Sequence, residues 1–191
     1  MRSSPPAANS LLRELAEVVV LAAILYFGIS FAVQTVHVEG SSMVGTLNND
    51  DYLIANKIDY KLHAPQRGDI IILRAPTNQS VDFIKRVIGL PGERLLIRDG
   101  VVYINGQPLD ESYLPDAWTS MNNWPLDGSS NGEVMPPDHY FVMGDNRNRS
   151  QDSRTFGPIS RDEIEGRAWF RIWPLDSFGN IYAKEPSLQA S

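Results

Sequence analysis

The chain has 191 residues, 42% hydrophobic and 21% charged, with a formal net charge of −6. That length suits one domain with room for a subdomain, and the acidic balance without a basic cluster argues against a nucleic-acid partner. The absence of cysteine excludes disulfides, thiol nucleophiles and cysteine-bound zinc, and the scattered histidines His37, His63 and His139 show no metal-ligand spacing, so no metal or cofactor is expected.

Residues 1–14 are polar, carry Arg2 and Arg13, and read as a tail. Residues 15–36 are mostly apolar, with an uninterrupted core from Val18 to Val33. A spanning helix needs roughly 17–25 apolar residues, so this run is long enough to anchor the chain in a lipid bilayer. Arg2 and Arg13 precede it, and no Lys or Arg follows before Lys57. The positive-inside rule then puts the N-terminus in the cytoplasm and residues 37–191 outside, in a periplasm or lumen. Two other readings compete. One is a cleaved signal peptide with Ser30-Phe31-Ala32 as its small-x-small site, against which the length of the apolar core speaks. The other is a buried helix.

Directly after this run comes Glu39-Gly40-Ser41-Ser42-Met43-Val44-Gly45-Thr46-Leu47, with paired serines between small residues. Asn48 to Asp51 read as a turn and Tyr52 to Ala55 as a strand. Arg67-Gly68-Asp69 turns into a buried strand through Leu73. Val81 to Leu90 is a further strand, closed by Pro91-Gly92. Residues 93–106 form a hairpin, because Asp99-Gly100 sits between two β-rich runs. Residues 110–137 are rich in Pro, Asn, Gly, Ser and Asp and read as a long loop or small insertion, in which packing is the favoured role for Trp118 and Trp124. Tyr140 to Met143 is a strand that feeds a dense polar loop, Gly144 to Arg154. One helical turn is expected near residues 159–164, and Gly166 to Trp173 is a last strand stopped by Pro174. The sum is a mainly β domain outside one membrane helix.

A serine needs a base beside it to act as a nucleophile. Neither Ser41 nor Ser42 sits in a G-x-S-x-G signature, and none of the histidines is placed by sequence to serve. A lysine can serve if a dry site lowers its pKa. On the strand from Val81, period-two alternation puts Lys85 on one face with Val81, Phe83 and Val87, and Arg86 on the other with Asp82. This stripe is compatible with a base and equally with an edge charge or a solvated lysine. The 144–154 loop reads either as a solvated turn or as a supporting network, with Asp152 and Arg154 able to pair and Ser150 able to aim an amine.

Four segments in order resemble the type I signal peptidases, membrane-anchored Ser/Lys proteases that remove signal peptides from exported proteins. Ser42-Met43-Val44-Gly45-Thr46-Leu47 is similar to the family's S-M-x-P-T-L box, and Arg67-Gly68-Asp69-Ile70-Ile71 to its R-G-D box. Lys85-Arg86-Val87-Ile88-Gly89-Leu90-Pro91-Gly92-Glu93 is similar to its K-R-V box, and Gly144 to Arg154 to its G-D-N-R-x-x-S-x-D-S-R box. The resemblance implies an antiparallel β-sheet or barrel catalytic domain over residues 37–191. It also implies a smaller β insertion near residues 94–140, behind a transmembrane anchor.

It further implies Ser42 as nucleophile, Lys85 as general base, Ser150 as the hydroxyl that orients the lysine, and Asp145, Arg147, Asp152 and Arg154 as support. Signal peptides of secretory preproteins would bind as a strand between Val38-Glu39-Gly40 and Asp82-Phe83-Ile84. Phe83, Ile84, Met43 and Leu47 would line shallow pockets for small side chains. Gly40 stands where some members carry an oxyanion-binding serine, and Gly45 where the family usually has proline. A looser nucleophile loop is the expectation at Gly45. Two competing functions remain: an inactive membrane β-protein, and a self-cleaving Ser/Lys repressor, against which the spanning run and the lack of a basic patch speak.

Overall fold

The computed structural model describes residues 7–119, 123–182 and 186–188. The apolar run forms one helix, α1 (Ala7–Ala32). Its large apolar side chains are more than half exposed, which removes the buried-helix reading. Ser10–Ala32, 23 residues, is long and apolar enough to cross a membrane. At 1.5 Å per residue it spans about 34 Å, against about 30 Å of hydrocarbon. The helix stops at Ala32, and Val33 to Val36 are drawn instead into a strand, where their β-branched residues alternate faces.

The remaining elements are β1 (Val33–His37), β2 (Tyr52–Asn56), α2 (Asp59–Leu62), β3 (Ile70–Ala75), β4 (Asn78–Gly89), β5 (Arg94–Arg98), β6 (Val101–Ile104), β7 (Gln107–Asp110), β8 (Glu133–Val134), β9 (His139–Met143), α3 (Ser153–Phe156), β10 (Ile159–Ser160), β11 (Ile164–Trp173), β12 (Gly179–Asn180) and β13 (Ser187–Leu188). The protein is mainly β, and its strands pair antiparallel. The larger sheet runs β1-β2-β11-β3-β4-β9-β10, with β12 also on β11; the smaller runs β13-β7-β6-β5-β8.

Strand β4 is paired over most of its length on one side only. It pairs with β3 from Asn78 to Arg86, but with β9 only from Arg86 to Gly89. On the β9 side, residues 78–84 therefore have no strand partner among the described residues. The turn of the β5–β6 hairpin is Asp99-Gly100, with φ of 51° and 78°, the positive values that a two-residue hairpin turn requires. The helical turn near residues 159–164 is a 3-10 turn at Arg161–Glu163, fixed by a Ser160–Glu163 capping box.

The two sheets share a core. Leu95, Ile97, Val102 and Ile104 of the small sheet meet Ile88, Phe141 and Met143 of the large one, with Trp124 buried among them. The Trp124 ring lies 5.1 Å from that of Phe141. Phe141 is fully buried at this junction, so Phe141→Ala is expected to lower unfolding stability by about 3–5 kcal/mol. Chemical denaturation in detergent measures it, and a loss below about 1 kcal/mol would mean that the sheets do not share this core.

Candidate active site

The segment after β1 folds back on itself. Val38 N donates to Asp51 O at 2.8 Å, and Asp50 N to Val38 O at 2.9 Å. Within the loop so closed, Thr46 N and Leu47 N both donate to Met43 O, at 3.1 and 2.8 Å, making a single helical turn. Met43 and Leu47 plug that turn into the core against Leu53 and Ile70. Ser42 stands immediately before it, half-buried, while Ser41 is exposed.

Lys85 reaches Ser42 from β4. Its Nζ donates to Ser42 Oγ at 2.8 Å and to Ile84 O at 3.1 Å, and lies 4.9 Å from the centre of the Phe83 ring. Lys85 is 3% exposed. Burial pushes its amine down to about 8; Asp152 and Asp145 pull it up and Arg154 pushes it further down. An amine so placed is neutral in an appreciable fraction near neutral pH and can accept a proton. No histidine occupies that position. His37 bonds Asp50 at 3.1 Å, His63 bonds Asp59 at 3.3 Å, and His139 bonds Pro137 O at 2.8 Å.

The polar loop after β9 holds both pieces in place. Asn146 N donates to Ser42 O at 3.0 Å, and Asn146 Nδ2 to Ser41 O at 3.0 Å. Asp145 takes a bidentate pair from Arg86, 2.8 and 2.6 Å, with both side chains at 0% exposure. Its Oδ2 also accepts from Thr46 Oγ1 at 2.6 Å. Asp145 thus ties the nucleophile turn to the residue after Lys85. Asp152 accepts from Arg154 Nε and Nη2, each at 2.8 Å, and from Gly144 N at 3.0 Å. Arg147 donates to Gly144 O at 3.1 Å, to Glu111 at 2.5 Å and to Tyr113 Oη at 2.8 Å. Gly144 has to be glycine, because a Cβ there would lie 2.2 Å from Ser150 Oγ and 2.5 Å from Ser42 O.

Two expectations are corrected. Ser150 Oγ is buried without a hydrogen-bond partner among the described residues, so it does not bond Lys85 here; its hydroxyl packs against Gly144. Leu47 does not line a substrate pocket. It is fully buried, because the helical turn tucks it beneath Met43. At Gly45 the backbone and a neighbour together exclude the family's usual proline. The φ of 106° is closed to proline, whose ring fixes φ near −65°, and a Cβ there would lie 2.7 Å from Pro115 Cγ. Pro115 fills the space a side chain would take, and the backbone conformation is one that a proline would have to change. Gly40 contributes no hydroxyl, and its N–H is taken by Asn49 Oδ1 at 2.8 Å.

A groove of about 680 Å³ opens beside Ser42, and its walls include Val38, Gly40, Met43, Asp82, Phe83 and Ile84. One side is the end of β1 and the residues after it; the other is the unpaired edge of β4. Sequence reasoning gave no role to Arg86 or Thr46, although both lie inside the boxes that carry the family resemblance. It also missed Glu111 and Tyr113, which carry no local signal, while Trp118, read as a packing residue, packs against the core and over the arginines. They lie in an irregular segment whose partners are distant in sequence.

The protein-family model described as signal peptidase, peptidase S26, matches residues 12–173. The chain belongs to that family. As a member it is a serine peptidase, an enzyme that hydrolyses peptide bonds. Signal peptidase I of Leptolyngbya laminosa is 40% identical over 188 residues, covering 94% of this chain and 88% of the relative. Signal peptidase IB of Staphylococcus aureus is 32% identical over 187 residues, covering 93% and 97%. A solved signal peptidase I from Enterococcus faecalis V583 is 38% identical, covers 55% of this chain and 97% of its own, and has a TM-score of 0.47.

Asp145→Ala would strand the buried Arg86 guanidinium and free Thr46. The expected cost is about 3–5 kcal/mol of stability, read by denaturation, whereas Asp145→Asn keeps two of the hydrogen bonds and should cost less.

Proposed function

We propose that this member of the family is a membrane-anchored endopeptidase that removes N-terminal signal peptides from exported preproteins, using Ser42 as nucleophile and Lys85 as general base. The observation that carries this reading is the 2.8 Å contact between Lys85 Nζ and Ser42 Oγ in a site where the lysine is only 3% exposed. The neutral amine accepts the Ser42 proton as Oγ attacks the carbonyl carbon. The resulting ammonium then gives that proton to the departing amine of the mature protein, leaving an acyl ester on Ser42. The regenerated amine then takes a proton from a water as its oxygen attacks the ester carbon, and the ammonium gives that proton to Ser42 Oγ as the acyl bond breaks.

The tetrahedral oxyanion is assigned to the Ser42 N–H, which no turn or loop hydrogen bond uses among the described residues. Gly40 N–H is engaged by Asn49, so it does not serve. One oxyanion donor is worth about 2.7–4 kcal/mol of barrier in other proteases. Asp145, Arg147, Asp152 and Arg154 hold the two reacting side chains in register and touch no substrate.

The substrate enters as an extended strand against the free edge of β4 at Asp82, Phe83 and Ile84, facing Val38 and Gly40. Alternate side chains of such a strand meet Met43, Phe83 and Ile84, walls that favour small residues. That geometry selects small-x-small cleavage sites. The α1 helix anchors the chain, with its N-terminus cytoplasmic and the catalytic domain on the far side of the membrane, where signal peptides emerge.

The test is cleavage of a preprotein with an Ala-x-Ala site by detergent-solubilised full-length protein. Ser42→Ala and Lys85→Ala are each expected to lose about 10⁴-fold or more in kcat, while a variant lacking His37, His63 and His139 keeps cleaving. Activity surviving Lys85→Ala, or lost with the histidines, would reject the reading.

A further inference from the structure

Residues 111–118 leave the small sheet after β7 and cross to the nucleophile side of the large one. Three of their side chains are fixed on the arginines of the site. Glu111 and Tyr113 Oη both accept from Arg147 Nη2, at 2.5 and 2.8 Å. The Tyr113 ring lies 4.6 Å from the Arg86 guanidinium, and the Trp118 ring lies 5.2 Å from the guanidinium groups of both Arg147 and Arg154. These contacts set a cation against the face of a ring, a carboxylate or a neutral phenol oxygen. Burial pushes the Tyr113 phenol up, so it stays neutral.

Between these anchors sits Pro115. Its Cγ, Cδ and Cβ lie 2.7, 2.8 and 2.9 Å from where a Cβ on Gly45 would stand. Pro115 is otherwise exposed and belongs to none of the buried core clusters. Gly45 follows Ser42 by three residues and precedes Thr46, whose hydroxyl is held by Asp145 and whose carbonyl accepts from Arg171. The proline ring therefore rests on the middle of a turn with Ser42 at one end and Thr46 pinned at the other.

We propose that residues 111–118 are a positioning strap: Pro115, seated on Gly45, holds the nucleophile turn so that Ser42 Oγ stays on the Lys85 amine. The inference rests on the Ser42/Lys85 reading above. It gives the second sheet a part in the reaction, since the strap is tethered there by β7. Pro115 does not border the substrate groove, so its effect falls on turnover and leaves substrate binding alone. Misplacing a reacting group by about 1 Å can cost about 10²-fold, and a loosened turn costs less.

The experiment compares Pro115→Ala, Pro115→Val and Lys85→Ala in the full-length protein, measuring kcat, KM and thermal midpoint on the same preprotein. Pro115→Ala is expected to lower kcat about tenfold with KM and midpoint unchanged, and Pro115→Val, which keeps branched bulk over Gly45, to recover most of it. A wild-type kcat in Pro115→Ala overturns the strap. So does a change confined to KM, or a loss that tracks a lowered midpoint and is not recovered by Pro115→Val. Activity in Lys85→Ala would reject the dyad itself, whereas a dead Lys85→Ala beside an unaffected Pro115→Ala rejects the strap alone.

Discussion

The removal of water from the Lys85 amine is the constraint on which the rest depends. An ammonium in water holds its proton to about pH 10.4 and cannot serve a serine near neutrality. Burial against Phe83 brings the amine down to about 8, but two buried carboxylates, Asp145 and Asp152, stand close enough to pull it back. That pull is limited because each is already taken. Asp145 is chelated by Arg86 and Asp152 by Arg154, and all four side chains are almost completely buried. The arginines neutralise the acids, and the charge of Arg154 presses the lysine further toward its neutral form. The supporting loop therefore sets the electrostatics of the site as well as its shape. Replacing Arg154 with a neutral residue would raise the lysine as well as destabilise the fold.

Strand β4 concentrates these requirements in one stretch of backbone. Its unpaired edge at residues 82–84 offers the hydrogen-bonding groups that an extended peptide needs. Lys85 comes next, then Arg86 with its grip on Asp145, and only from there does β9 close the edge. A strand paired along its full length on both sides would have left no room for substrate. The β9 continuation supplies Gly144, whose missing Cβ lets Ser150 and the Ser42 carbonyl approach. The smaller sheet, joined through the core around Phe141, braces the far side by sending Glu111, Tyr113 and Trp118 onto the same arginines.

Much of this was legible in the sequence, for identifiable reasons. The β5–β6 hairpin announces itself through Asp99-Gly100, because positive φ at adjacent residues is a local demand that few sequences meet. The alternation Phe83, Lys85, Val87 gives the face of the lysine, and the four boxes select Ser42 over Ser41. The strap and the fate of Gly45 were not legible. A missing proline reads as lost rigidity when only the loop is considered, yet the restraint arrives from Pro115, far along the chain. Leu47 misled for a related reason: a single helical turn turns its side chain inward, and no periodicity exists over five residues to reveal it. The surroundings of Ser150 were not legible either, because its hydroxyl packs against Gly144, six residues back along the loop. The helix end at Ala32 was also not fixed by composition, since Val33 and Val36 flank the polar Gln34 and Thr35, and what separates these four residues from the helix is their pairing with β2.

The central claim is that a buried, neutral lysine activates Ser42, and the pH dependence of kcat/KM tests it most directly. A base must be deprotonated to act, so activity should rise with pH and level off above an apparent pKa of about 8, the value to which burial brings Lys85. A limb at about 10 or above, the range of a solvated lysine, would contradict the account.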